Sequence, residues 1–312
     1  MPIKRTRGNI EIPRTNIVIL IVGTRGDAQP FIALGQALLA AGHRVRWVTH
    51  ETFRKFVHEN GLDFFFPLAD DPADLMSFMV KNSGIIPSVS SITTRDLAQY
   101  RHILTEIISS TWRACTVEVD ETGESLTAQT VIPNPPSFGH IHCAKKLQIL
   151  LHIMFTMPWS ATSVFPHPLS NLAYSKTSVE KINFLSYISI EMFVSYNGSI
   201  TYFRQATFIM VDEHVPFTYC WSPSIVPKLI DWPPYINVSG VFLLNHDATA
   251  DKKRPNDLIK FLDIDDDHRN ELLASSIIYI GFGFGSITDN DSDRLFPVVL
   301  EELKKTGHRA LL

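Results

Sequence analysis

The feature that most constrains the fold is the run Asn-Ile-Val-Ile-Leu-Ile-Val at residues 16–22, followed at once by Gly-Thr-Arg-Gly-Asp-Ala-Gln-Pro at 23–30. An unbroken apolar run rich in β-branched residues suits a strand covered on both faces, as in a parallel sheet flanked by helices. The chain that follows keeps that rhythm. Residues 23–29 read as a turn, and Pro30 as the first helical residue, where its missing N–H costs nothing. Phe31, Leu34, Leu38 and Ala41 recur at helical spacing and Gly42 ends the helix. A second strand at 45–49, a short helix at 51–60 closed by Gly61, and a third strand at 62–66 stopped by Pro67 complete the pattern. Strand, helix, strand, helix, strand with short links predicts an α/β fold with a right-handed parallel sheet.

Farther along, 71–112 reads as mostly helical, with a Ser/Thr-rich break at 88–94. A strand end at 128–132 leads into a rigid proline loop at 133–137, a helix at 138–147 and a buried strand at 150–155. Residues 157–168 form a loop rich in proline and aromatics, and 179–204 read as one or two helices. The segment 221–234, with four prolines and two tryptophans, is expected to be ordered but irregular. The polar stretch 245–256 is the best linker candidate. After it come a short helix around Leu258, a strand at 277–280, a glycine-rich turn, a helix at 293–306 and a stub at 308–312.

The expected organisation is therefore a basic tail at 1–14, a Rossmann-like domain at 15–240, and a linker with the incomplete start of a second Rossmann-like domain at 241–312. A doubly wound domain needs about twice that last length. The second sheet is thus expected to end on an unpaired edge, with Ile278, Ile280 and Leu311 exposed and aggregation or a complementing partner as the result.

Composition excludes several classes. The 45% hydrophobic and 19% charged fractions belong to a folded globular chain. A formal net charge of −4 gives no electrostatic case for nucleic acid or an anionic membrane. Cys115, Cys143 and Cys220 are too few and too scattered for a disulfide scaffold and suit a reducing, cytoplasmic compartment. Residues 1–14 are basic but lack the apolar core of a signal peptide, 16–22 is far too short to span a bilayer, and 147–159 is interrupted by His152, Thr156 and Pro158, so no transmembrane segment is expected. His140, His142 and His152 lack metal-site spacing and read as core or pocket histidines, so no metal is expected. Asp263, Asp265, Asp266 and Asp267 read as a solvated acidic loop.

Two turns could carry chemistry. The first, at 23–30, is not a dinucleotide fingerprint, but it sets Asp27 at the carboxyl end of the first strand, where open α/β sheets bind ligands. Asp27 reads either as a helix cap or as a general base that takes a hydroxyl proton, and both roles are compatible. The nearby helix N-terminus is expected to lower its pKa. The second turn, Gly-Phe-Gly-Phe-Gly-Ser at 281–286, follows an apolar strand and precedes a helix. It reads equally as a phosphate cradle or as plain strand-to-helix packing. The aromatics Phe155, Trp159 and Phe165 read as core or as pocket wall.

The opening at 16–31 resembles that of sterol 3-β-glucosyltransferases and related antibiotic glycosyltransferases. The blocks at 42–45, 49–53, 75–82, 135–140, 155–160, 165–168, 218–223 and 279–282 resemble that family in the same order. The resemblance runs from about residue 14 to the last residue. It implies a GT-B fold: an N-terminal domain for a sterol or similar lipid acceptor, and a C-terminal domain for UDP-glucose or another UDP-sugar. It further implies sugar transfer in one inverting displacement, with no metal and no cofactor. On this resemblance Asp27 is the base, Met157, Pro158 and Trp159 line the acceptor pocket, and Gly285 and Ser286 touch the donor phosphates. The family's turn reads Gly-Phe-Gly-Ser, so the turn here is two residues longer. The family's later His-Gly-Gly donor segment has no counterpart before Leu312. The chain is therefore expected to be inactive or weak alone, with a non-catalytic lipid-binding or regulatory role as the alternative. Longer fungal relatives carry membrane-targeting modules upstream, and peripheral membrane contact stays open.

Overall fold

The computed structural model describes residues 13–69, 71–74, 77, 96–116, 125–170, 178–197, 211–244, 278–280, 289–308 and 310–311. Strand β1 (Asn16–Leu20) lies at the centre of a parallel sheet. On one side it pairs with β2 (Arg44–His50), which pairs with β3 (Phe65–Leu68). On the other it pairs with β4 (Thr130–Pro133), which pairs with β5 (Leu150–Leu151). After a break at His152, β6 (Ile153–Phe155) carries the same stretch of chain onward. It opens a second parallel sheet with β7 (Phe217–Tyr219) and β8 (Ile236–Val238). The order β3-β2-β1-β4-β5 reverses direction between β1 and β4. In open α/β sheets that reversal is where loops diverge and a ligand crevice forms.

The alternation along β1 explains the two layers. Val18, Leu20 and Val22 point to one face and pack with Ile103, Leu104 and Ile107 of α3 (Asp96–Thr116) and with Cys143 of α4 (His140–Leu147). Ile17, Ile19 and Ile21 point to the other and meet Ala28, Phe31 and Ile32 of α1 (Arg25–Ala40) and Val57 of α2 (Arg54–Glu59). A strand buried on both faces must be apolar at every position, which is what residues 16–22 supply. The second sheet has its own core, in which Phe155, Phe217 and Tyr219 pack on Ile190 of α5 (Val179–Asn197) and on Trp159 and Trp232.

Two expectations about proline are corrected. Helix α1 begins at Arg25, not at Pro30, which lies inside it. The helix starts early because Thr24 and Asp27 cap it, and Pro30 then forfeits one hydrogen bond to the carbonyl of Gly26. Pro67 does not stop β3 but sits within it, opposite Thr49. Among the described residues β3 is the outermost strand of its sheet, with one side on which a residue without an N–H is tolerated.

Farther along, β9 (Ile278–Tyr279) and β10 (Ala310–Leu311) pair in parallel across α6 (Asp289–Thr306). Ile278, Tyr279, Phe296 and Val298 are exposed there, and Ile280 is half-buried. The expected helix around Leu258, the acidic loop at 263–267 and the break at 88–94 lie outside the described residues. Among the described residues no helix is long and apolar enough to cross a membrane.

Candidate functional site

The turn after β1 is built around one glycine. Gly23 has φ +133°, a conformation L side chains rarely adopt. Thr24 then takes the extended conformation of an N-cap residue, and Asp27 falls at the third helical position. The Thr24 N–H donates to Asp27 Oδ2 at 2.8 Å, and the Thr24 hydroxyl donates to the same oxygen at 3.0 Å. Asp27 is thus a capping residue from inside the first turn, not the N-cap itself.

The electrostatic expectation for Asp27 is reversed. Burial pushes its carboxyl above the ordinary carboxylate value, and the hydrogen bonds from Thr24 only partly oppose that. Desolvation at the mouth of the sheet outweighs the helix N-terminus.

Two side chains from neighbouring strand ends close on this turn. Asn134, the residue after β4, is fully buried. Its Oδ1 accepts from the Val22 N–H at 3.0 Å, and its Nδ2 donates to the Val22 carbonyl at 2.7 Å. His50, the last residue of β2, accepts at Nε2 from the Gly23 N–H at 3.4 Å, also in a buried position. Behind Asn134, the Ser137 hydroxyl donates to the Asn134 carbonyl at 2.8 Å, and His140 Nδ1 lies 2.8 Å from the same hydroxyl oxygen. With the hydroxyl proton given to Asn134, His140 carries its proton on Nδ1 and donates it to Ser137. Burial first, and the nearby His142 second, push the His140 pKa down to about 3, so it is neutral. Neither Asn134 nor His50 stands out from the sequence as a site residue. The usable signal was a polar residue at the end of an apolar strand and directly before Pro135-Pro136.

The loop after β6 holds Met157, Pro158 and Trp159. Met157 and Pro158 are half-buried, but Trp159 is buried in the core of the second sheet. Its ring meets Phe155 edge-on at 5.7 Å and His167 edge-on at 5.0 Å. The Tyr219 hydroxyl fixes the loop by accepting the Trp159 and Ser160 N–H groups at 3.1 and 2.6 Å and donating to Ser160 Oγ at 2.7 Å. Nearby, Asp231 accepts from the Thr162 hydroxyl and from the N–H and hydroxyl of Ser163. Burial pushes that carboxyl up, but the bonds from Ser163 and Thr162 outweigh it, and its pKa lies below the usual range.

Because the strands are parallel, the turn with Asp27, the Asn134 loop and the loop at 157–159 all leave carboxyl ends of strands. Gly285 and Ser286 lie outside the described residues. Cys115, Cys143 and Cys220 are free and buried. His152 Nε2 contacts the Thr218 hydroxyl at 2.8 Å, and among the described residues no three His, Cys, Asp or Glu side chains are grouped to hold a metal.

Residues 17–166 match the glycosyltransferase family 28 N-terminal domain. The chain is 40% identical over 315 residues to sterol 3-beta-glucosyltransferase UGT80B1 of Arabidopsis thaliana, covering 96% of this chain and 47% of that protein. It is 37% identical to UGT80A2 of the same plant and 32% identical to a sterol 3-beta-glucosyltransferase of Neosartorya fischeri, covering 46% and 20% of those proteins. The chain thus spans about half the length of the plant relatives it matches. Among solved structures, the glycotransferase of kitacinnamycin superposes with TM-score 0.55 at 13% identity, over 96% of this chain and 65% of that one. That likeness shows the GT-B fold.

Proposed function

We propose that this chain, whose residues 17–166 match the glycosyltransferase family 28 N-terminal domain and which shares the GT-B fold, is the acceptor-binding half of a UDP-sugar-dependent hexosyltransferase acting on a sterol or similar lipid. The observation that carries the reading is the Asp27 carboxylate, held half-buried at the carboxyl end of the central strand, beside the point where strand order reverses. Both Thr24 bonds fall on the same oxygen, Oδ2. A carboxylate whose pKa is raised by burial is a stronger base than an exposed one. In the proposed reaction Asp27 takes the proton of the acceptor hydroxyl as its oxygen attacks the anomeric carbon. The bond from that carbon to the UDP oxygen breaks, and UDP leaves from the opposite face.

The names of the relatives support glucose as the sugar and a sterol as the acceptor. A sterol offers one hydroxyl on an apolar body, which suits a site that pairs one carboxylate with an apolar wall. Gly285 and Ser286 are assigned to the donor phosphates on sequence alone. We propose a cytoplasmic location, which the free cysteines suit, and a lipid acceptor would bring the protein into peripheral contact with a membrane.

The test combines a fluorescent sterol with UDP-glucose. The wild-type chain is expected to bind the sterol. Asp27→Ala should weaken binding by no more than about tenfold, the worth of one hydrogen bond. The same variant should abolish any glucose transfer seen with wild type. A folded wild-type chain that does not bind the sterol would overturn the reading. Sterol binding with no UDP-glucose binding would favour the non-catalytic lipid-binding role.

A further inference from the structure

We propose that Asn134 is a positioning residue that sets the place of the Asp27 carboxylate by acting as a substitute strand partner for Val22. This rests on the reading of Asp27 as the base. The β1–β4 ladder ends at Leu20 opposite Pro133, and the β1–β2 ladder at Leu20 opposite Val48, with one further bond from the Ile21 N–H to the Val48 carbonyl. Beyond that, the two flanking strands part at the reversal of strand order. Val22 is buried there, with an N–H and a carbonyl that neither ladder reaches. Buried backbone groups of that kind must find partners.

The Asn134 carboxamide supplies both. It has the donor and acceptor of a peptide group in one plane, and it bonds the N–H and the carbonyl of the same residue. It therefore extends the sheet by one residue on β1 without a strand. Asp would keep the acceptor and lose the donor, and an apolar side chain would lose both.

The backbone of Asn134 is fixed in turn. The following Pro135 confines it to the extended region, observed at φ −92° and ψ 156°. Its N–H donates to the Leu20 carbonyl at 3.1 Å, and its carbonyl takes the Ser137 hydroxyl, itself backed by His140. The next residue after Val22 is Gly23, whose positive φ and absent side chain let Asp27 Oδ2 approach. Holding Val22 thus fixes the residue that decides where the carboxylate sits.

The test uses the full chain and needs no turnover, so it stands or falls apart from the reaction assigned to Asp27. Amide hydrogen exchange is followed at Gly23 and Thr24, with Ser163, which bonds to Asp231, as the remote reference. Asp27 is titrated by carboxyl NMR. In Asn134→Ala, exchange at Gly23 and Thr24 is expected to rise at least tenfold while Ser163 keeps its rate. The Asp27 midpoint should fall toward the ordinary carboxylate value as water reaches it. Asn134→Asp keeps the acceptor for the Val22 N–H but, when ionised, sets a carboxylate oxygen against the Val22 carbonyl, so a folded variant should also show a rise at the same two amides while Ser163 keeps its rate. For that variant exchange alone decides, because a new carboxylate would itself shift Asp27. If Gly23, Thr24 and Ser163 accelerate together, Asn134 acts through global stability and the proposal fails. It fails equally if the Asp27 midpoint is unmoved in folded Asn134→Ala.

Discussion

Asp27 Oδ2 stands 2.4 Å from the point where a Cβ on Gly23 would lie, so the carboxylate occupies space that only a glycine leaves open. The two Thr24 bonds hold it there. One residue thus serves as helix cap and as candidate base because its neighbour has no side chain.

Gly23→Ala tests that relationship. The added methyl meets Oδ2, and the backbone is also strained, since φ +133° disfavours any L side chain. The expected loss is about 1–3 kcal/mol, read as a lower urea midpoint with an unchanged slope. The Asp27 carboxyl should leave Thr24, and NMR should show faster exchange of the Thr24 amide. A variant as stable as wild type, with that amide still protected, would show that the turn has room after all.

Asp27 should also carry a stability cost that Asn would relieve. Its folded pKa is raised by burial, so the folded state binds this proton more tightly than the unfolded state. Its contribution is therefore fully present below the unfolded pKa and lost as pH rises through the folded one. Asp27→Asn is expected to be at least as stable as wild type at pH 7. The gap should narrow as pH falls through the carboxylate range. Denaturant melts of both proteins across pH 3–8 measure this. A variant that is less stable at pH 7 would mean that the Thr24 bonds outweigh desolvation.

The first strand, its turn and the alternating helices were legible because burial on both faces leaves a continuous apolar run, and few other structures do. Asp27 was legible as a position, but not as an environment. Whether burial or the helix N-terminus sets its pKa depends on how deeply the turn sits, which periodicity does not report. Pro30 and Pro67 misled for a shared reason. A proline marks a missing N–H, and whether that N–H was needed depends on the neighbours: a capping pair at Thr24 and Asp27 in one case, the open side of an edge strand in the other. Asn134 was legible at most as a polar residue ending an apolar strand; its role was not, because its partner, Val22, is 112 residues away and the bond exists only once β4 is placed beside β1.

Tyr219 should matter to the loop at 157–160 out of proportion to one hydroxyl. That oxygen takes two backbone N–H groups and gives its own proton to Ser160. Burial pushes its pKa up to about 12, so it stays a donor at all ordinary pH. Tyr219→Phe leaves the buried Trp159 N–H without its partner, an expected cost of about 1–3 kcal/mol. The ring still stacks on Trp221 and Trp232, so the core should persist and the loop at 157–160 should loosen. Unfolding melts and sterol affinity read the two effects. Unchanged affinity with lowered stability would separate the loop from acceptor binding.

The buried histidines should make the chain acid-sensitive well above the ordinary carboxylate range. His140 is held neutral by burial and by His142, with its pKa down to about 3. Burial alone brings His167 to about 4, and its Nδ1 accepts the Leu169 N–H at 3.1 Å, which places its own proton on Nε2. A depressed histidine pKa means that the unfolded chain takes up the proton first. Stability from these groups is therefore complete above about pH 6.5 and falls as pH drops toward about 4 for His167 and about 3 for His140. Each should contribute about 1.4 kcal/mol per pH unit below 6.5. His142 and His152, also lowered by burial, act in the same direction. Urea melts between pH 7 and pH 5 should show that slope, and His167→Gln should reduce it by one histidine's share. Asp27 acts in the opposite sense where its own titration overlaps, so the Asp27→Asn background isolates the histidine slope. A flat profile from pH 7 to 5 in that background would show that water reaches both imidazoles in the folded chain.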